Sequence, residues 1–437
     1  MNELFAVVLC TAMTEAFLHH IWKFRLFNSK ELATTDGEPL EVIRPGQHNT
    51  DAGPDFFNAQ VKIGTTTWAG NVEIHQKSSE WNKHQHTEDS AYNNVVLHVV
   101  YEHDQEVFTQ EHIRIVTVEL KGRFDQGLFN NYQDLIGSRK WIPCENHIGN
   151  VDPLTISTWL ERMLIERLEI KSGFVLDTLS LNKNNWEETF YQHLARNFGF
   201  YTNSLPFEIL ARSLPLQLLG KHKDQLKQIE ALLFGQSGLL KPRLTDSYGA
   251  ELKVEYEFLR KKYSLQPMDG GQWKFLRLRP SNFPTIRIAQ LAQMIHKSGL
   301  LFSRVMEIDT IKDFESVFSV GVSEYWSSHY TFDKLSSRQD KPLGETGRMN
   351  IIINTVVPML FAFGRFANEE NYKNKAVRFL EEIPEEQNAV ISQWNALGIT
   401  SENSARTQSL LHLKNTYCNL KKCLFCSVGN KIINTIQ

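Results

Sequence analysis

Residues 53–75 read GPDFFNAQVKIGTTTWAGNVEIH. Two runs in it, 55–63 and 67–75, are rich in Phe, Val, Ile, Thr and Trp, which suit a pleated, half-buried strand. Gly64 and the threonines after it break the two apart, so the stretch reads as a β-hairpin. A turn centred near Thr65 sets Asp55 roughly opposite His75, with Glu73 one diagonal step away, about 5 to 8 Å between β-carbons. Side chains alternate along a strand, so Glu73 and His75 share one face while Val72 and Ile74 take the other. Two carboxylates and an imidazole then converge at one end of the hairpin. Mg²⁺ or Mn²⁺ would be held there by the carboxylates, completed by water and substrate phosphate. The competing reading is a surface hairpin with solvated acids.

The flanks extend the pattern. Residues 14–27, TEAFLHHIWKFRLF, predict a helix capped by Thr14, with Glu15, His19 and Lys23 on one face. Leu40–Ile43 is a short strand, and the turn-rich loop after it delivers Asp55 and brings Asn49 and Asp51 towards the same end. Past the hairpin, Ser78 or Ser79 is placed to cap a polar helix that sets His86, Asp89 and Tyr92 on nearly one face. Val95–Tyr101 reads as a buried strand and Ile113–Leu120 as another.

Pro54-Asp55, a hairpin and then Glu73-Ile74-His75 resemble the PD-(D/E)XK nucleases, with His75 standing where that superfamily has lysine. The resemblance implies a restriction-endonuclease-like αβββαβ core over residues 13–125, followed by a mainly α-helical domain over 126–437. It also implies metal-dependent phosphodiester hydrolysis of nucleic acid, DNA rather than RNA. Asp55, Glu73 and His75 would be the catalytic set, with Asp55 and Glu73 on Mg²⁺ or Mn²⁺ and Glu15, Asn49, Asp51, His86, Asp89 and Tyr92 in support. Two alternatives remain open: a non-catalytic nucleic-acid- or protein-binding module on a degenerate nuclease fold, and a zinc hydrolase using His75, His84, His86 and His98. The runs FLHHIWKFRLF, GPDF, WAGNVEIH, WxxHxHxxDxxY and LHVV together are similar to an uncharacterised bacterial family, domain of unknown function 2851. That similarity carries no activity.

From about residue 150 the periodicity turns helical, in an irregular bundle without a fixed repeat. Arg260–Lys297 holds eight Lys or Arg against one acid, interleaved with aromatics. Trp273–Arg279 reads as a strand that projects Arg277 and Arg279 together, and these with Lys274 and Arg287 form a candidate phosphate-binding group. The net charge of −3 gives no global attraction to nucleic acid, so binding has to rest on such a patch.

Five cysteines in 437 residues are too few for a disulfide scaffold, which makes a reducing cytoplasm the expected setting. The apolar start, residues 1–13, is too short to span a membrane and carries no early basic residue, so no membrane partner is expected and residues before Met13 read as dispensable. Cys418, Cys423 and Cys426 form a C-x4-C-x2-C run, and with Cys144 they make four thiolates, enough for zinc or a [4Fe-4S] cluster. The pattern is similar to one upstream and three downstream cysteines in RecB-type nucleases, where they clasp the nuclease domain. Free buried cysteines are the alternative.

Overall fold

The structure, a computed structural model, describes residues 13–240, 244–298 and 300–435; residues 1–12, and Cys10 among them, lie outside the described residues. The chain divides into two compact units. One comprises the residues up to Leu160 together with those from His412 on, and the other is Glu161–Leu411. The expected boundary at 125/126 therefore moves, because the cysteine-bearing C-terminal segment belongs with the sheet and not with the helices.

The first unit opens with α1, Glu15–Lys23, whose N-cap Thr14 accepts from the Phe17 N–H. Phe17, Leu18, Ile21 and Trp22 are fully buried; each such side chain is worth roughly 1.5–3 kcal/mol of burial. The strands follow as β1 (Leu40–Arg44), β2 (Gln47–His48), β3 (Phe56–Ile63) and β4 (Thr66–Lys77). After the short helix α2, Glu80–Lys83, come β5 (Val95–Glu102), β6 (Thr117–Glu119) and helix α3, Gln126–Gly137. The sheet order is β1-β3-β4-β5-β6, with β2 pairing β3. β1, β3 and β4 form an antiparallel meander, whereas β5 runs parallel to β4 and β6 parallel to β5. α1 packs on α3 through Phe17, whose ring lies 5.2 Å from both Phe129 and Tyr132.

The hairpin turn is tighter than expected. Ile63 pairs with Thr66, leaving Gly64 and Thr65 as a two-residue loop, with Gly64 at φ 58°. Nearer the open end, the pairing passes from Ala59 with Gly70 to Phe56 with Val72, so Phe57 and Asn58 together face Asn71. This is a β-bulge, with Asn58 at φ 55°, a left-handed conformation that Asn tolerates better than most residues.

Three expected elements differ. The polar helix after the hairpin is broken into α2 and two 3₁₀ turns, His86–Glu88 and Ser90–Tyr92, separated from α2 by Gln85 at φ 63°. The serines do not cap it, because Ser78 Oγ, Ser79 N and Ser79 Oγ all donate to the Asp104 carboxylate. Short polar side chains here compete with the helix for backbone and neighbour bonds. The Ile113–Leu120 strand shrinks to Thr117–Glu119, since residues 108–114 close a turn with His112 at φ 57°.

The third is Trp273–Arg279, which is not a strand. Trp273 is buried, its indole N–H donating to Ser237 O, and the Asn203 side chain bonds both the N–H and the C=O of Lys274. A side chain takes the place a partner strand would need.

The second unit is helical. Its core runs from Leu164 to Ala405 and includes the fully buried Phe190, Phe234, Phe314 and Trp326. Glu345–Ala367 is long and apolar enough to cross a membrane by length and composition, yet 67% of that window is buried inside the structure as a core helix. Residues Ile352–Val356 in it wind as a π-helix just before Pro358, whose missing N–H and ring disfavour an ordinary turn.

Candidate metal centre

The bulge builds the site. Had the register near the turn continued, Asp55 would face Ile74 and point to the opposite side of the sheet from Glu73. The extra residue shifts the pairing so that Asp55 stands opposite Glu73, where both side chains share a face. The contact is reciprocal: Asp55 N–H donates to Glu73 Oε2 at 3.0 Å, and Ile74 N–H donates to Asp55 Oδ2 at 2.9 Å. This corrects the expected pairing of Asp55 with His75.

Imidazoles surround the carboxylates. Glu73 Oε1 lies 3.6 Å from His75 Nε2 and 3.2 Å from His86 Nε2. His75 Nε2 is 3.1 Å from His84 Nδ1, while its Nδ1 meets His98 Nε2 at 2.8 Å across the β4–β5 pairing. From α1, His19 Nε2 lies 3.2 Å from Asp55 Oδ2, and His48 Nε2 backs His19 Nδ1 at 3.3 Å. Two groups have their ligand atoms all within 4.8 Å of one another: Glu15, His19 and Asp55, and His75, His84 and His86. Tyr92 stacks on His86 at 3.8 Å.

Burial shifts the acids and the imidazoles of this pocket in opposite directions. Burial, then the Asp55 charge, pushes the Glu73 carboxyl up to about 8 and the Glu15 carboxyl up to about 7. Burial, then His86 and His84, pulls His75 down to about 3, and burial also lowers His86, His48 and, most of all, His98. His19 differs: burial lowers it, but the hydrogen bond and charge of Asp55 more than offset that. Burial disfavours the charged form of each: the ionised carboxylates lack a positive partner, while the imidazoles are kept in the neutral form that can ligate a metal. Among the described residues, His86 Nε2 makes no aligned hydrogen bond although Glu73 Oε1 lies 3.2 Å away. A lone pair there fits a co-ligand of one ion better than a donor to an acid. The nitrogen and oxygen donors together suit Mn²⁺ or Zn²⁺, and suit Mg²⁺ less.

The family described as a protein of unknown function, DUF2851, matches residues 15–389. The chain belongs to that family. No curated protein and no solved structure matches it.

In this DUF2851 member, Glu15, Asp55, Glu73, His75, His86 and Tyr92 come together as one site. Asn49 and Asp51 serve the loop instead: Asn49 Nδ2 donates to the carbonyls of Asp51, Ala52 and Pro54, its Oδ1 accepts from Asp51 N–H, and Asp51 is exposed. Asp89 is exposed and its carboxylate accepts from Ala91 N–H, so it shapes a turn. His19 and His48 are additions. Their only signal in the sequence is the four-residue spacing of His19 from Glu15 on a helix face.

The basic group in the helical unit is split. Lys274, Arg277 and Arg279 are exposed, with Arg277 at φ 61° and Leu276 turned outward. Arg287 is withdrawn: it is buried, donates to Gln290 and Asn282, and lies over the Phe200 ring, so it is not free to meet a phosphate.

Proposed function

We propose that this site binds divalent metal and that the protein hydrolyses phosphodiester bonds in nucleic acid, DNA in preference to RNA. The observation that carries the reading is the meeting of Asp55, Glu73 and His75 on one face of the hairpin, joined by Glu15 from the first helix. The order of elements supports it, since α1, the strands β1, β3 and β4, the short α2 and then β5 follow the αβββαβ order that the PD-(D/E)XK resemblance implies. A bound divalent ion supplies a water of lowered pKa and neutralises phosphate charge. The chain's own groups do the rest. Asp55 and Glu73 provide the hard oxygens, and Asp55 is held in place by the Ile74 N–H. His75, held neutral by burial and by the imidazoles of His86 and His84, serves as a ligand and does not act as the cation that lysine would be. Exposed Lys274, Arg277 and Arg279 offer phosphate contacts in the helical unit.

A second reading, zinc held mainly by imidazoles, is favoured by the mutual approach of His75, His84 and His86. One assay separates the two. Chelator-stripped protein is supplied with Mg²⁺, Mn²⁺ or Zn²⁺ and incubated with single- and double-stranded DNA and RNA. The expected result is Mn²⁺-supported DNA cleavage that falls at least about 100-fold in Asp55→Ala and Glu73→Ala, each checked for folding by circular dichroism. Zinc-only activity selects the second reading. Binding without cleavage under every metal, or cleavage that survives Asp55→Ala, overturns the nuclease.

A further inference from the structure

The helical unit holds a cleft of about 420 Å³, the size of a small-molecule pocket. The C-terminal half of the helix Pro153–Leu181 lines it with Lys171, Phe174, Thr178 and Leu181, which recur at helical spacing on one face. The helix Trp186–Phe198 adds Arg196 and Asn197, and the π-helical turn Ile352–Val356 adds Asn354.

Lys171 is short of a counter-charge. Its amine donates to two neutral amide oxygens, Asn354 Oδ1 at 2.7 Å and Gln408 Oε1 at 3.4 Å, and among the described residues no carboxylate pairs with it. Arg167 Nε donates to the same Gln408 oxygen at 2.6 Å, so two cations share one amide. The acid behind them, Glu386, is reached only through Gln408 Nε2.

We propose that this cleft binds an organic anion with an apolar body, its carboxylate or phosphate head on Lys171 and its body against Phe174 and Leu181. The site lies within the helical unit and does not depend on the reading of the histidine site.

Three features favour a ligand over a solvated groove. First, an ammonium carries three donors; Asn354 and Gln408 take two, which leaves one for a bound acceptor. Burial, then the Arg167 charge, pulls the Lys171 pKa well below its usual value, and an anion at the amine would offset both. Second, the wall that orients Lys171 is specially built. Asn197 Nδ2 donates to Asn354 O at 3.0 Å and to Thr355 Oγ1 at 2.8 Å, which pins the π-turn, and short π segments inside α-helices recur at functional sites. Third, charge and apolar surface meet here. Lys171, Arg196 and Arg212 outnumber the lining acids Asp177 and Glu208, and both arginines already share Glu208. His193, which burial pulls down to about 4, adds no charge. Phe174 and Leu181 are 63% and 73% exposed, so the rim offers apolar surface to a ligand's body.

The test is fluorescence titration of the full chain with anilinonaphthalene sulfonate, an organic anion with an apolar body, beside its uncharged analogue N-phenylnaphthylamine. The expected result is one sulfonate probe bound per chain and displaced by octanoate or octyl phosphate, the tighter competitor identifying the head group. Lys171→Met should weaken the anionic probe at least about tenfold, as for the loss of one charge-assisted hydrogen bond, and leave the uncharged analogue unchanged. Phe174→Asp, at an exposed position, should also weaken the anionic probe, and it decides the matter if Lys171→Met does not fold. No binding, displacement by neither competitor, unchanged affinity of the anionic probe in either folded variant, or equal loss of both probes in Lys171→Met overturns the proposal.

Discussion

His75 and Glu230 are two buried titratable side chains with opposite consequences. His75 is held neutral by burial and by a ring of other imidazoles, and its two nitrogens are spoken for by His98 on one side and by His84 and Glu73 on the other. Glu230, in the helical unit, is an acid with hydroxyl neighbours: Tyr248 and Ser323 both donate to it. Burial, outweighing those hydrogen bonds, pushes its pKa from 4.5 up to about 7. The folded chain therefore keeps a proton that the unfolded chain releases between those values. Its contribution is fully present below pH 4.5 and is lost as pH rises through about 7. Each tenfold difference in proton affinity between the folded and unfolded chain is worth about 1.4 kcal/mol, so the loss is on the order of 3 kcal/mol. Urea unfolding of Glu230→Gln at acid and neutral pH should therefore show a flatter pH dependence than the wild type. Equal slopes would mean that the acid stays ionised in the fold.

At the scale of the element, the bulge at Asn58 decides which face Asp55 serves. Deleting Asn58 should restore an unbroken register and turn Asp55 away from Glu73, removing metal binding measured by calorimetry while the sheet survives. Asn58→Gly should leave the melting temperature unchanged or raise it, because glycine takes the left-handed backbone without penalty. Asn58→Val should cost about 1–3 kcal/mol. If Val is as stable as Gly, the conformation is not strained. The hairpin was legible because β-formers flank a glycine, and so was the shared face of Glu73 and His75, which strand alternation dictates. The bulge was not, since Phe-Phe-Asn-Ala carries no mark of where an extra residue sits. The missing serine cap depended on Asp104 capturing Ser78 and Ser79 from far along the chain, and the lost strand at Trp273 depended on Asn203. Both are long-range bonds that override local pattern. His19 joined the site for the same reason, through the packing of α1 against β4, and His48 through the pairing of β2 with β3.

For the whole molecule, the sheet-bearing unit is discontinuous, and its last part arrives only from His412 onward. A chain stopped after Leu411 loses the backbone carbonyls that Asn131 donates to, those of Ile433 and Thr435. Limited proteolysis of that truncated chain should leave a resistant fragment covering Glu161–Leu411 and degrade the residues before Leu160. Protection of both parts would show that the C-terminal segment is not needed for closure.

That discontinuity also sets a timetable. Translation at about 5–20 residues per second places roughly 13–50 s between the emergence of Leu160 and that of His412. The helical unit has its full sequence by the end of that interval, whereas the sheet waits throughout it with one flank uncovered. Nascent chains should then present α1 and α3 to chaperones until the final segment is made, and slowing translation within 161–411 should lengthen that exposure without touching any residue of the site.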